Sequence, residues 1–162
     1  MIFVTLGSQK FQFNRLLEKI DTLVFDRIIV ENVFAQSGYS DYLPREYEYK
    51  QFLDRDEFNE LISKSDTVIT HGGTGAIISA VKMGKKVIAV PRLSKFGEHV
   101  DDHQVQLLKQ FDGMGFIIAC FDLNDLEVHL VQSRQAEVKK YISNTDQIIE
   151  SIELHLRKLC KE

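Results

Sequence analysis

Tryptophan is absent from this chain of 162 residues, and proline and cysteine occur only twice each. Cysteine this sparse excludes a disulfide-built scaffold. Cys120 follows the apolar run Phe116-Ile117-Ile118-Ala119 and reads as a buried structural thiol, while Cys160 stands beside charged residues. Neither has a CxxC neighbour, so a reducing compartment and no metal site are expected. No segment approaches the ~20 apolar residues of a membrane span. Met1 to Gly7 lacks the basic region and longer apolar core of a signal peptide. The chain is therefore expected in the cytoplasm, where any membrane association would come through another protein. An excess of basic charge is missing too: 20 Lys and Arg stand against 24 Asp and Glu, a formal net charge of −4. That excludes a dedicated nucleic-acid binder, which carries a basic stripe with interleaved aromatics. No low-complexity tract and no repeat break the chain, so residues 1–162 read as one domain.

What is present is an alternation of short apolar runs with helical periodicity. Ile2–Leu6, Arg27–Val33, Glu48–Phe52, Thr67–Thr70, Val87–Val90 and Gly115–Ala119 read as strands. Their apolar residues are continuous rather than alternating, the signature of strands buried on both faces. Phe13, Leu16, Leu17 and Ile20 recur at helical spacing, as do Phe58, Leu61 and Ile62, and Ala76, Ile77, Ala80 and Val81. Val100–Phe111 reads as a further helix. Ile148, Ile149, Ile152, Leu156 and Leu159 predict a last amphipathic helix over about 145–159, beginning near Asn144 or Thr145. The fold class expected is α/β, a doubly wound, Rossmann-like parallel sheet. Such sheets bind ligands beyond the carboxyl ends of their strands. The search narrows to the loops at Gly7-Ser8, Gln36 to Gly38, His71 to Gly75, and after Pro91.

His71-Gly72-Gly73-Thr74-Gly75 lies between a strand and a helix. Glycines there admit an anion close to the backbone, and the free N–H groups of a helix start point at it. Thr67 to Gly97 contains no Asp or Glu but carries Lys82, Lys85, Lys86, Arg92 and Lys95. An acid-free window around a glycine loop suits a diphosphate, with Arg92 and Lys95 as phosphate contacts. Neither a Walker A loop nor the G-x-G-x-x-G fingerprint is matched, which counts against ATP hydrolysis and NAD chemistry. A second constellation is Gly97-Glu98-His99-Val100-Asp101-Asp102-His103-Gln104. Its spacing fits no recognised zinc pattern, so no metal is assigned. Glu98, His99 and Gln104 suit hydrogen bonds to sugar hydroxyls or a pyrimidine edge.

These segments, taken in order, resemble the glycosyltransferase family 28 C-terminal domain. The resemblance runs through Phe3-Val4-Thr5-Leu6-Gly7, Gln36-Ser37-Gly38 and Asp66 to Gly75. It continues through Gly84-Lys85-Lys86-Val87-Ile88-Ala89-Val90-Pro91, Gly97-Glu98-His99 and Asp102-His103-Gln104. The match is to small stand-alone members: the catalytic subunit of the eukaryotic dolichol-chitobiose UDP-GlcNAc transferase and bacterial capsule or exopolysaccharide β-1,4-galactosyltransferase subunits. The resemblance implies the donor-binding half of an inverting GT-B enzyme that uses a UDP-sugar, galactose favoured, with no cofactor and no bound metal. It implies a diphosphate at Gly72, Gly73, Thr74 and Gly75, flanked by Gly7, Ser8, Gln36 and Gly38. His99, Asp102 and Gln104 would lie near the sugar. Relatives carry a carboxylate where Ser79 stands here, which puts the ribose contact in doubt; Glu98 would replace it from the neighbouring loop. His71, Glu98 and His99 are candidates for the catalytic base, alongside a residue of a partner. That partner would be a membrane-anchored, acceptor-binding subunit presenting a lipid-linked glycan at the inner face of the cell membrane. The last helix is its docking element, with homodimerisation through the same face as the alternative. A non-catalytic nucleotide-sugar-binding accessory subunit is the competing reading of the whole chain.

Overall fold

The computed structural model describes residues 1–137, 139, 141–142 and 145–159. Its elements are β1 (Ile2–Thr5), α1 (Asn14–Phe25), β2 (Val33–Gln36), β3 (Glu48–Lys50), α2 (Arg55–Lys64), β4 (Thr67–His71) and α3 (Thr74–Lys82). They continue as β5 (Lys86–Val90), α4 (His103–Gly113), β6 (Ile118–Ala119), α5 (Leu126–Gln135) and α6 (Thr145–Leu159), with short 3-10 turns at Ser94–Phe96 and Leu123–Asp125. The strands form one sheet in the order β3-β2-β1-β4-β5-β6, and each pair is parallel. The doubly wound α/β expectation holds.

The continuous apolar runs are explained by two cores, one on each face. Val4, Ile69, Ile88 and Val90 pack with Leu16, Leu17, Ile20 and Leu23 of α1 and Leu126 and Leu130 of α5. Phe3, Val68, Val87 and Ala89 point the other way, onto Ile62 of α2, Ile77, Ala80 and Val81 of α3, and Leu108 of α4. Cys120 is buried in the first core, as its apolar neighbours predict; Cys160 lies outside the described residues. Register then fixes where the loops leave: Thr5 lies beside both Gln36 and Thr70, and His71 beside Val90. Several strands thus end at one level.

Four sequence expectations are corrected. The second strand is not Arg27–Val33 but Val33–Gln36. Arg27 takes a left-handed φ of 59°, and the N–H groups of Ile28 and Ile29 both bond back to Leu23 O, closing α1. The β-branched run is spent on a helix end. The helix expected from Val100 begins at His103, and the strand expected over Gly115–Ala119 is confined to Ile118–Ala119. Helix α5 was not expected at all. Its buried face is only Leu126, Leu130 and Ser133, while Val128 and Val131 are exposed, so its periodicity is blurred. In α6, Ile148, Ile149 and Ile152 are about half exposed. The side chains of Leu156 and Leu159, and Asn144, lie outside the described residues.

One ion pair ties α1 to the loop after β5. The guanidinium of Arg15 donates to both carboxylate oxygens of Glu98, at 2.6 and 3.0 Å, and to Pro91 O at 2.7 Å. Glu98 is only 1% exposed, and its Oε2 also accepts the Leu93 N–H. Removing the cation strands a buried carboxylate, which costs about 3 kcal/mol. Arg15→Ala is expected to lower the urea-unfolding free energy at pH 7 by about that much, and adding Glu98→Gln to recover part of it.

Candidate functional site

The strand order reverses between β1 and β4, so the loops after these two strands diverge and leave a crevice at the carboxyl edge of the sheet. A cavity of about 230 Å³ lies there, lined by Gln9, His71, Gly72, Gly73, Thr74, His99, His103, Gln104 and Leu107. Two of the stretches isolated from the sequence, His71 to Gly75 and Glu98 to Gln104, therefore meet in space. Gln9, His103 and Leu107 line the cavity without being site residues that the sequence singles out. Gln9 follows Gly7-Ser8 directly, and His103 and Gln104 sit four and three residues before Leu107, which puts them on one helix face.

His71 ends β4 and is buried. Its Nδ1 lies 3.3 Å from Thr5 O and 3.4 Å from Thr70 Oγ1. Thr70 Oγ1 itself donates to Thr5 O, at 3.2 Å. The proton therefore belongs on Nδ1, and Nε2 is the basic nitrogen. The ring explains the glycines around it. A Cβ on Gly73 would fall 2.3 Å from His71 Nε2, and one on Gly7 2.6 Å from its Cε1. Gly72 is closed against Gln104 in the same way, at 2.8 Å, and Gly38, at φ +59°, against Gly7 O. Gly75 differs: a Cβ there would meet nothing within 4 Å.

That openness coincides with an uncapped helix. Gly73 is the N-cap of α3, no side chain caps the first turn, and the turn contains no acid. Its first N–H groups are available to an anion, and the helix dipole adds about 0.3–1 kcal/mol of attraction at an exposed site. Thr74 is exposed in the same turn. Ser79 follows Gly75 by four residues, on the same side of α3 and partly exposed. Ser8 is exposed, whereas Gln36 is buried with its Oε1 accepting from Thr5 Oγ1 at 3.0 Å.

Arg92 is placed differently from its expected role as a surface phosphate contact. It is 0% exposed and donates from Nη2 to Leu6 O and Phe11 O, at 2.8 and 3.2 Å. Glu98 is spent on Arg15 and is not an accessible base. Gln104 is buried, and its Oε1 accepts the Arg92 N–H at 2.9 Å. Asp102 accepts the Ser94 N–H at 2.7 Å. His99 does line the cavity, packed on Phe11 with ring centroids 5.2 Å apart. The sequence assigns no metal, yet one ligand atom each from His99, Asp101 and His103 lies within 4.8 Å of the others.

The glycosyltransferase family 28 C-terminal domain model matches residues 1–157, and the chain belongs to that family. It is similar to the human UDP-N-acetylglucosamine transferase subunit ALG13, at 28% identity over 131 residues, 74% of this chain and 11% of the human protein. It is also similar to the Candida albicans protein of the same name, at 25% identity over 157 residues, 94% of this chain and 51% of that one. The chain thus spans about a tenth and about half of these relatives. Its fold matches the NMR solution structure of ALG13 with a TM-score of 0.57 at 17% identity, covering 93% of each chain.

Burial pushes the His71 imidazole down to about 4, helped by the charges of Arg92 and His99 and opposed by the Thr5 carbonyl. Unfolded, the same ring takes a proton near pH 6.5. The unfolded state therefore binds more protons between about pH 6.5 and 4, and stability falls as pH drops through that window. His71 is expected to remove about 2 kcal/mol between pH 7 and pH 5. Urea unfolding at the two pH values should show a smaller loss in His71→Gln.

Proposed function

We propose that this chain is the donor-binding subunit of a two-component glycosyltransferase, moving a hexose from a UDP-sugar to a lipid-linked glycan. The observation that carries the reading is the uncapped, acid-free first turn of α3, whose start at Gly72, Gly73 and Thr74 lines the switch-point cavity, with open space beside Gly75. A diphosphate there would take the free N–H groups, and no cofactor enters donor binding. The names of the relatives, both UDP-N-acetylglucosamine transferase subunits, support a UDP-sugar and membership of a complex. They favour N-acetylglucosamine as the sugar. The resemblance of the Gly97-Glu98-His99 and Asp102-His103-Gln104 block to bacterial exopolysaccharide transferase subunits is what favours galactose and a role in capsule or exopolysaccharide synthesis. A panel of UDP, UDP-galactose, UDP-N-acetylglucosamine, UDP-glucose and GDP-sugars, read by thermal shift, separates the two because a ligand bound to the native state raises Tm.

Gly75→Asp tests the site without disturbing the fold. The added Cβ meets nothing, and an acid in the first turn suits the helix dipole. The same carboxylate would face the donor diphosphate. Tm should hold or rise while UDP affinity, read by calorimetry, falls at least tenfold, about 1.4 kcal/mol. Unchanged UDP affinity would place the diphosphate elsewhere.

A cavity of about 230 Å³ lies below the usual ~300–1,000 Å³ of a ligand pocket, as one wall of a cleft would. The other wall is assigned to the partner, an acceptor-binding protein anchored in the membrane at its cytoplasmic face. No helix among the described residues is long and apolar enough to cross a membrane. Exposed Ile148, Ile149 and Ile152 on α6 support a helix-in-groove contact with that partner. Purified chain alone should give no transfer from UDP-sugar to lipid-linked acceptor, and adding the membrane fraction that holds the partner should restore it. Robust turnover by the chain alone would sink the two-component reading.

A further inference from the structure

We infer that His99, Asp101 and His103 form a binding site for a first-row divalent cation of the zinc type, opening onto the switch-point cavity. Gly97, at φ +67°, ends the 3-10 turn over Ser94–Phe96, and Asp102 then caps back to Ser94. The chain between them folds so tightly that Asp101 lies between two imidazoles. His99 Nδ1 stands 3.2 Å from Asp101 Oδ1, and His103 Nδ1 contacts the same oxygen. The rings of the two histidines meet edge-on, with centroids 4.8 Å apart.

These separations suit a metal. Two ligands each about 2.0–2.1 Å from zinc at the tetrahedral angle stand about 3.3–3.4 Å apart. The pair at 3.2 Å already matches, and all three ligand atoms lie within 4.8 Å. His103 contacts Asp101 more closely than two ligands on one ion would stand, so its ring must turn away to admit the metal, and its 58% exposure leaves it room to do so. The set is also preorganised: the side chain of His99 is 7% exposed and backed by Phe11.

Two imidazoles and one carboxylate suit Zn²⁺, Co²⁺ or Ni²⁺ and not Mg²⁺ or Ca²⁺, which take oxygen ligands. Three protein ligands leave at least one coordination position for a water or an anion. That position would face the cavity, because His99 and His103 both line it. His71 lines it as well, so three of the chain's five histidines converge on one small space. The inference departs from the sequence expectation of no metal. That expectation compared the spacing of Glu98 to His103 with known zinc patterns, and the turn at Gly97 is not visible in spacing.

The test is calorimetry of ZnCl₂ into chelator-treated full chain at pH 7.5, with Co²⁺ absorption as a second readout. One Zn²⁺ per chain is expected, with an inert response to Mg²⁺ and a rise in Tm on zinc addition. His103→Ala and Asp101→Asn, both at exposed positions, should keep the metal-free Tm and lose at least tenfold in affinity, while His155→Ala, on α6, should bind as wild type does. Absence of stoichiometric binding overturns the inference, as does equal binding by the His103 and Asp101 variants. UDP titrated into the metal-free chain reads the donor assignment separately, so each can fail without the other.

Discussion

A guanidinium with no access to water organises the functional edge of this domain. Arg92 sits at the carboxyl end of the sheet just after β5, and its own N–H and its Nη2 reach Gln104 on α4, Leu6 after β1 and Phe11 before α1. Burying a cation is costly unless it is hydrogen-bonded and compensated. Here its Nε and Nη1 have no hydrogen-bond partner among the described residues. The offset comes from the nearby Glu98 carboxylate and from the Phe13 ring, 5.6 Å away. Burial pulls the group down to about 10, so it stays charged at neutral pH. The site above it inherits a fixed positive floor.

That floor adds to burial in setting the state of His71. A proton on His71 would be repelled by Arg92, and the imidazole is held neutral by burial and by that charge. Neutrality lets Nδ1 donate to Thr5 O and leaves Nε2 facing Gly73 and Gly7. The glycines of the loop thus divide by cause. Gly7, Gly72 and Gly73 lack side chains because His71 and Gln104 fill the space a Cβ would take. Gly75 has open space instead, so packing does not explain it.

Local features of this kind were legible in the sequence where they depend on neighbours along the chain. The β4–loop–α3 unit could be read from Thr67 to Val81 because both its periodicities are strong. Thr67–His71 is buried on both faces, as a continuous apolar run requires. The second strand was misplaced because Ile28 and Ile29 carry the same β-branched signal as a strand while serving the end of α1. The roles of Arg92 and Glu98 were not legible for a different reason. Arg15 and Glu98 are 83 residues apart, and no local pattern says that a charge will be spent on a partner so distant. An acid-free window predicted cations facing a ligand, and Arg92 instead acts from beneath.

The same accounting explains why an anion suits this cavity although the chain is acidic overall. Net charge is a sum over the surface, whereas a ligand feels the groups within a few ångströms, where Coulomb terms are largest. At the strand ends Glu98 is paired with Arg15, and Asp102 is tied to the Ser94 N–H. Asp101 lies between two imidazoles, and the His103 hydrogen bond holds its carboxyl below the usual range. What remains uncompensated is the positive end of α3 above the buried charge of Arg92. The excess acid of the composition stands elsewhere, on residues such as Asp56 and Glu60 of α2. Burying Arg92 therefore separates the charge a diphosphate would meet from the acidic charge of the rest of the surface.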